Sequence, residues 1–275
     1  MTAHTASPAA VLSQDQIDAF QRDGAICLRG HFNAWVPLLE AGVAANMKEP
    51  GPYGAENTKA GEPGRFFDDY CNWQRIPEFR RFVLESDAAE IAARVMGSRQ
   101  AQFFHEHVLV KEPGTAKETP WHQDIPYYCV DGEQTVSFWV PLDPVPVETS
   151  LQIIKGSHRW DRLVRPVKWL DDDDFYEDER VFMDVPDVAA DPAAYEILAW
   201  ALEPGDAVLF SYKAVHGAAG NLTNGRRRAF SHRWLGDDVR FAERGARTSP
   251  PFPGIDQQPG EELRQDWFPV LWPRD

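Results

Sequence analysis

The chain has 275 residues, of which 43% are hydrophobic and 26% charged, a composition that suits a globular protein with a substantial core. Lysine and arginine number 28 against 43 aspartates and glutamates, which gives a formal net charge of −15. Such an acidic surface repels phosphate backbones, so we expect no nucleic-acid partner.

The compartment is predicted from the cysteines and from the N-terminus. Cys27, Cys71 and Cys129 are widely separated and odd in number, and they form neither a disulfide framework nor a zinc knuckle. Residues 1–10 have no basic start and no apolar stretch, and no apolar run of the chain is long enough to cross a membrane. These features predict a cytoplasmic protein with no membrane partner.

Helix signals dominate the first hundred residues. Ser13 followed by Gln16 is a capping-box pattern and predicts a helix that begins there. Further helices are predicted over about 34–47 and within 77–96, the last of them capped by Asp87. We expect these helices to pack around whatever core follows.

From residue 101 the pattern changes to short runs rich in β-branched and aromatic residues, bounded by turn signals. Many strands without intervening helices indicate a β-barrel or β-sandwich. The predicted strands cover 103–111, 135–142, 150–155, 206–212 and 226–234.

Three residues within this region are candidate metal ligands. His122 and Asp124 form an H-x-D step, and alternate residues of a strand project to the same face. His216 follows a predicted strand and can supply a third ligand from elsewhere in the fold. Two imidazoles and one carboxylate are the ligand set of non-haem Fe(II) oxygenases. H-x-D alone is a weak signal, and a lone histidine is more often structural.

An arginine strengthens the prediction. Arg227 lies eleven residues after His216, beyond a turn and on the next predicted strand. A guanidinium there can pair in a bidentate manner with the far carboxylate of a keto-diacid bound to the metal. Strand alternation predicts that Arg226 and Arg228 point to the opposite face.

Four segments in order, WHQDIPYY, VSFWVPLDPV, SLQIIKGSH and VHGAAGNLTNGRRRAF, resemble the phytanoyl-CoA dioxygenase family of Fe(II)/2-oxoglutarate-dependent oxygenases. The resemblance spans roughly residues 100–235. It implies a mainly β fold, a double-stranded β-helix (jelly roll, cupin-like) core with flanking N-terminal α-helices. Lys155 stands where the family usually has proline, which we expect to affect the rigidity of a turn rather than the chemistry.

The resemblance also implies a domain layout, with one dioxygenase domain over 1–275. Its expected parts are a mostly helical wrap over 1–100, a jelly-roll core over 101–240 and an irregular tail over 241–275. An acidic insert is expected at about 160–195, and its DDDD run, 171–174, is interpreted as a solvated loop.

Residue roles are carried over by position. His122, Asp124 and His216 match the metal ligands, and these are also the catalytic residues. Arg227 matches the arginine that binds the C5 carboxylate of 2-oxoglutarate. Cofactor contacts are also expected from Trp139, which lines the cosubstrate pocket or else packs in the core, and from His107.

The implied reaction uses Fe(II), 2-oxoglutarate and O₂ and releases succinate and CO₂. Because Asp124 is present, whereas related halogenases replace that carboxylate, hydroxylation of a C–H bond is favoured. Desaturation, epimerisation or cyclisation would need the same cofactors.

Two alternatives concern the chemistry, and one concerns the ligands. The chain could be a metal-binding jelly-roll module without turnover, or a metallohydrolase, which would leave Arg227 without a role. His105 and His107 form an H-x-H step on one predicted strand face and could join His216 in a three-histidine site.

The substrate is expected to be a small organic molecule, and the protein a monomer or homodimer. Candidate wall residues are Phe66, Phe67, Tyr127 and Tyr128. Arg65 and Lys111 are possible partners for an anionic group of the substrate.

Overall fold

The computed structural model describes residues 12–168, 175, 182–245 and 247–273. The α-helices within them are α1 (Gln14–Asp23), α2 (Val36–Lys48), α3 (Pro77–Glu85) and α4 (Ala88–Met96). The strands are β1 (Ala25–Leu28), β2 (Ala55–Glu56), β3 (Phe66–Tyr70), β4 (Ala101–Lys111), β5 (Thr119–His122), β6 (Val130–Asp131), β7 (Thr135–Pro141), β8 (Leu151–Ile154), β9 (Leu163–Val164), β10 (Phe182–Met183), β11 (Ile197–Leu198), β12 (Ala207–Phe210), β13 (His216–Ala218), β14 (Arg227–Leu235), β15 (Arg240–Phe241) and β16 (Val270–Trp272). Single 3₁₀ turns occupy Asn33–Trp35, Ile125–Tyr127, Val147–Thr149, Ser157–Arg159 and Pro192–Ala194.

Two antiparallel sheets form the core. The larger has the strand order β1-β12-β7-β14-β4-β3-β2, with β16 paired to β4, and the smaller has the order β11-β8-β13-β5. Residues of both sheets line one shared interior cavity, which places the two sheets face to face. The predicted jelly roll with N-terminal helices is confirmed.

The helices cover the outer face of the larger sheet. Phe79 and Phe82 of α3 contact Phe230 of β14, with ring centroids 4.7 and 5.4 Å apart. These rings belong to the largest apolar cluster, which joins all four helices to the sheet. The helical layer therefore packs against the outer face of β14 and supports this strand.

The predicted capping pattern is confirmed for one helix and wrong for another. Ser13 and Gln16 form the reciprocal capping box of α1. Asp87 precedes α4, but its side chain makes no capping hydrogen bond there. Its carboxylate instead meets Nε2 of His31 at 2.9 Å, so a tertiary contact replaces the local one.

The insert and the tail are only partly as expected. The 171–174 run lies outside the described residues, while β10 pairs in parallel with β9. The predicted irregular tail contributes β16 to the edge of β4. No helix in the described part of the chain is long and apolar enough to cross a membrane.

Buried Glu106 of β4 gives a prediction for stability. Its carboxylate accepts hydrogen bonds from the backbone N–H groups of Asn72 and Trp73, and burial raises its pKa from 4.5 to about 8. The folded protein therefore binds this proton more tightly than the unfolded chain. The free energy of unfolding should fall as pH rises from about 4.5 to about 8, by at most about 1.4 kcal/mol per pH unit.

The check is urea denaturation of the wild type and Glu106→Gln across that pH range. The glutamine variant should show a flatter dependence, since its side chain cannot ionise. An equal slope in both proteins would contradict the prediction.

Candidate metal centre

His122 and His216 meet across two paired strands. They are direct Cα partners on β5 and β13, and directly opposed residues of an antiparallel pair project to the same face. Their ring centroids lie 4.2 Å apart, and both side chains are buried. The pairing of the smaller sheet thus brings together two histidines that are far apart in sequence.

Asp124 reaches the same point by a different route from the one predicted. Strand β5 ends at His122, and Asp124 has helical backbone angles, φ −70° and ψ −42°, at the start of the 3₁₀ turn Ile125–Tyr127. The expectation that His122 and Asp124 are alternate residues of one strand is therefore wrong. The Asp124 N–H donates to the Tyr212 carbonyl at 2.9 Å, which holds the turn in place.

The three donor groups converge on one point. Oδ1 of Asp124 lies 3.7 Å from Nε2 of His122 and 3.9 Å from Nε2 of His216. Two ligands each about 2.1 Å from one ion lie at most about 4.2 Å apart, so these spacings can share an ion. Among the described residues, His122, Asp124 and His216 are the group with ligand atoms that all lie within 4.8 Å of one another.

The histidine rings are oriented for metal binding. Nδ1 lies 2.8 Å from the Pro120 carbonyl in His122 and 2.9 Å from the Ala214 carbonyl in His216. Each Nδ1 must donate to its carbonyl, so each Nε2 presents its lone pair to the centre. Burial, with the neighbouring His122, lowers the pKa of His216 to about 3, which keeps its ring neutral as a ligand must be. The donor set fits a divalent ion.

The second oxygen of Asp124 has its own partners. Ser137 Oγ donates to Oδ2 at 2.8 Å, and the buried guanidinium of Arg233 has Nε 3.4 Å from the same atom. Burial alone would raise the pKa of Asp124, but Arg233 and the two histidines outweigh it and hold that pKa well below its usual range. The carboxylate is therefore ionised and turned with Oδ1 towards the centre.

Both partners were missed in the sequence. Arg233 lies six residues after Arg227 on β14, and strand alternation places residues an even number apart on one face. The same alternation that separates Arg226 from Arg227 could have found Arg233. No comparable pattern in the sequence pointed to Ser137 as a partner of Asp124.

Replacing Ser137 with alanine should weaken Fe(II) binding roughly tenfold, because outer partners of a metal ligand typically contribute 10- to 100-fold in affinity. Asp124 would keep Arg233 but lose the hydrogen bond that orients Oδ2. Fe(II) affinity is measured under anaerobic conditions by competition with a chelator. Ser98→Ala is the matched control, since it removes an equivalent 2.8 Å bond to Asp237 at another place. Equal losses in both variants would contradict the prediction.

Arg227 faces an inner cavity that extends from the metal centre. It is 6% exposed, and Nη1 donates to the Thr149 carbonyl and, at 3.2 Å, to the Ala219 carbonyl. Burial lowers its pKa to about 10, so the residue remains charged. Among the described residues it has no carboxylate partner.

The flanking arginines behave as predicted. Arg226 pairs with Glu112, and Arg228 binds Asp143 and Glu40 on the outer face of β14. Because successive side chains alternate between the two faces, Arg227 is buried while Arg226 and Arg228 form ion pairs on the opposite face.

Trp139 and His107 both lie on the inner cavity. Trp139 is buried on β7, and it also packs in an apolar cluster, so both of its predicted roles are compatible with its position. Nε2 of His107 lies 2.6 Å from Oδ2 of Asp68. Neither His107 nor His105 belongs to the converging ligand group found in the described residues, which leaves the three-histidine alternative without geometric support.

A second, outer cavity of about 280 Å³ reaches His122 and Asp124 from the surface. The predicted wall residues Tyr127 and Tyr128 line it, together with Tyr53, Tyr70 and Phe175, which the sequence did not single out. The two cavities share lining residues, including His107, His122 and Arg233.

The other candidate wall residues lie elsewhere. Phe66 faces the inner cavity, and Phe67 packs in the main apolar cluster. Arg65 is largely exposed and pairs with Glu56 at 2.6 Å. Lys111 lines the inner cavity rather than the outer one, so it faces Arg227 and not the predicted substrate wall.

Comparison with solved structures shows the same fold in several other proteins. The carbocyclase SnoK from nogalamycin biosynthesis is 23% identical, with a TM-score of 0.73 over 96% of this chain and 98% of that one. The epimerase SnoN, in a complex with Fe³⁺, alpha ketoglutarate and nogalamycin RO, is 20% identical, with a TM-score of 0.73 over 94% and 97%. EctD from S. alaskensis, with 2-oxoglutarate and 5-hydroxyectoine, is 22% identical, with a TM-score of 0.69 over 94% and 87%.

A comparison with curated proteins gave no significant match. The family model for phytanoyl-CoA dioxygenase matches residues 20–229, a range that includes every predicted site residue. The chain therefore belongs to the phytanoyl-CoA dioxygenase family of Fe(II)/2-oxoglutarate-dependent oxygenases.

Proposed function

We propose that this protein hydroxylates an unactivated C–H bond of a small organic molecule, with Fe(II) held by His122, Asp124 and His216. The observation that carries the proposal is the inner cavity. It joins His122 and His216 of this ligand group to Arg227, a buried cation without a carboxylate partner among the described residues. A metallohydrolase would have no use for that cation.

The residues of the two cavities have separate roles in the proposed reaction. When bound, iron and 2-oxoglutarate would supply, with O₂ as the oxidant, an oxidative decarboxylation in which one oxygen atom enters succinate, the other enters the substrate and CO₂ is released. His122, Asp124 and His216 would hold the ion and leave its remaining coordination positions to ligands that enter from the two cavities. Arg227 binds the far carboxylate of the cosubstrate in the inner cavity, and Trp139 forms part of its wall.

The outer cavity supports a compact substrate. A volume of about 280 Å³ suits a small molecule, and the aromatic walls favour a largely apolar, ring-bearing or otherwise bulky skeleton. A coenzyme A thioester would have to leave its nucleotide portion outside. Tyr127 is held in place because its hydroxyl donates to the Val167 carbonyl at 2.7 Å and accepts from the Val167 N–H at 2.8 Å.

The intact Asp124 favours hydroxylation over halogenation, because no ligand position is vacated for a halide. The similar structures include a carbocyclase and an epimerase, so cyclisation and epimerisation are the second candidate outcomes. Product analysis by mass separates them, since hydroxylation adds one oxygen atom, epimerisation leaves the mass unchanged and oxidative cyclisation removes two hydrogens.

We further propose that the chain acts as one domain in the cytoplasm. All three cysteines are free thiols, which suits a reducing compartment.

The experiment is an anaerobic titration of the protein with Fe(II) and then 2-oxoglutarate. We expect the weak metal-to-ligand charge-transfer band of a chelated 2-oxo acid, and its absence from the wild type would refute the proposal. A band without succinate formation, with candidate substrates and O₂, would favour a non-catalytic binding module. Activity that is indifferent to both O₂ and 2-oxoglutarate would favour a metallohydrolase.

A further inference from the structure

Besides Asp124, one carboxylate among the described residues lines the outer cavity. It belongs to Asp68 of β3, which is 6% exposed. Nδ2 of Asn57 donates to Oδ1 at 2.6 Å, and Nε2 of His107 lies 2.6 Å from Oδ2. These two contacts orient the carboxylate on the cavity wall, and they leave each oxygen a further lone pair for a ligand.

The negative charge of Asp68 has no lysine or arginine partner among the described residues. Of its two neighbours, the amide is neutral and the imidazole of His107 is charged only when it is protonated. Arg233, the buried cation of this cavity, has Nε 3.4 Å from Oδ2 of Asp124 and is paired there. Lys168 also lines the cavity but is exposed, so water screens its charge. A cationic ligand would therefore find a carboxylate available at Asp68.

His105 adds a hydrogen-bond acceptor to the same wall. It lines the outer cavity and is 2% exposed. Its Nδ1 lies 3.2 Å from the Glu106 carbonyl, to which it must donate, so Nε2 carries the lone pair. Burial, and then the charge of Arg233, holds the pKa of His105 well below its usual range, which keeps the ring neutral. Nε2 has no hydrogen-bond partner in the described part of the chain, so this position calls for a donor rather than an acceptor.

Tyrosine and phenylalanine rings form another part of the wall. Tyr53 and Tyr70 are stacked with their ring centroids 5.0 Å apart, and Phe175 meets Tyr127 edge-on at 5.1 Å. The faces of such rings attract cations. The net charge of −15 on the whole chain also favours the approach of a cation over that of an anion.

We propose that Asp68 binds a protonated amine of the substrate, which makes the substrate a small organic cation rather than an acid. The inference rests on the proposed function, because it takes the outer cavity to be the substrate site. An ammonium group would gain a charge-assisted hydrogen bond and aromatic contacts, whereas an anion would meet Asp68 as a like charge. The same cavity reaches His122 and Asp124, so an amine held at Asp68 would select the C–H bond that faces the metal centre. Asp68 is on this basis a specificity-determining residue.

The test compares three probes of similar size, cyclohexylmethylamine, cyclohexylmethanol and cyclohexanecarboxylate, by anaerobic calorimetry near neutral pH. Each is titrated into the protein loaded with Fe(II) and 2-oxoglutarate, and into the metal-free protein. The wild type should bind the amine at least about tenfold more tightly than the alcohol, and the carboxylate most weakly. A preference that is present in both states cannot come from ligation of the iron or from an empty metal site.

Asp68→Asn keeps the shape of the side chain and removes its charge. It should weaken binding of the amine at least about tenfold and leave the alcohol within about threefold, so that the preference for the amine disappears. Asp87→Asn is the matched control, since Asp87 also contacts a histidine, with Oδ2 2.9 Å from Nε2 of His31, but does not line the outer cavity. It should change neither affinity.

A wild type that binds the amine no better than the carboxylate, including one that binds neither, overturns the proposal, and this result does not depend on the folding of any variant. A preference for the amine that persists in Asp68→Asn overturns it as well, because the attraction then comes from another group. Either result leaves the proposed function standing if Fe(II) and 2-oxoglutarate bind. A wild type that binds no 2-oxoglutarate contradicts the proposed function itself.

Discussion

Replacing Asp124 with alanine is expected to abolish tight iron binding, with a loss in affinity of at least about 100-fold, which exceeds the effect of removing an outer partner. The change removes the one negatively charged ligand. It leaves two histidines beside the Arg233 guanidinium, whose Nε lies 3.4 Å from Oδ2 of Asp124 in the wild type. A divalent cation would then approach a net positive site. The measurement is anaerobic chelator competition, together with the 2-oxoglutarate charge-transfer band.

A second variant distinguishes the loss of a metal ligand from a loss of stability. Arg233 is buried, and removing the partner of a buried charge can cost about 3–5 kcal/mol of stability. His216→Ala deletes a ligand but keeps Asp124 beside Arg233, so it should lose iron with less loss of stability. His31→Ala, at a histidine paired with Asp87 away from the site, is the control and should keep both iron and the band. Iron affinity near that of wild type in either ligand variant would exclude this centre as the metal site.

Replacing Arg227 with methionine should weaken 2-oxoglutarate binding by roughly 100-fold or more, because a desolvated, charge-assisted contact contributes about 2–5 kcal/mol. The free energy of unfolding of the ligand-free protein should stay constant or increase, since an unpaired buried cation is exchanged for an apolar chain of similar length. Lower affinity with preserved stability is the signature of a residue kept for its ligand. A structural arginine would show the reverse.

Arg226→Met is the matched control, because this neighbour is nearly half exposed and pairs with Glu112 on the outer face. It should leave 2-oxoglutarate affinity within about twofold, as expected for a surface ion pair. Binding is followed by the charge-transfer band and stability by urea denaturation. Comparable losses of affinity in both variants would indicate a general disturbance of β14 and would remove the case for Arg227 as the anchor.

Much of the fold was predictable because its signals are local and periodic. Alternation placed Arg226 and Arg228 on the face opposite Arg227, and the capping box located the start of α1. The strand at residues 103–111 was recognised, although β4 begins two residues earlier. The jelly-roll topology itself came from the family resemblance, since strand texture alone does not distinguish a barrel from a sandwich.

The structural features that could not be predicted from the sequence depend on tertiary contacts. The turn at Asp124 is fixed by the Tyr212 carbonyl, a partner 88 residues away, so no local pattern shows that β5 stops at His122. Asp87 was predicted to cap α4 because aspartate is a common N-cap residue, but its carboxylate contacts His31 instead. Lys111 was predicted to contact the substrate. Its actual position opposite Arg227 follows from the register of β4 and β14, which no local pattern in the sequence shows.

Part of the outer cavity's wall comes from segments of the chain that do not hold the metal. Its walls include Tyr53 before β2, Phe175 from the insert, and Ser249 and Pro250 from the tail. The ligands and Arg227 instead lie on or next to strands of the two central sheets. Segments around the first group can therefore be exchanged between relatives, and a chimaera that carries foreign wall segments should acquire a new substrate range while iron and 2-oxoglutarate binding persist.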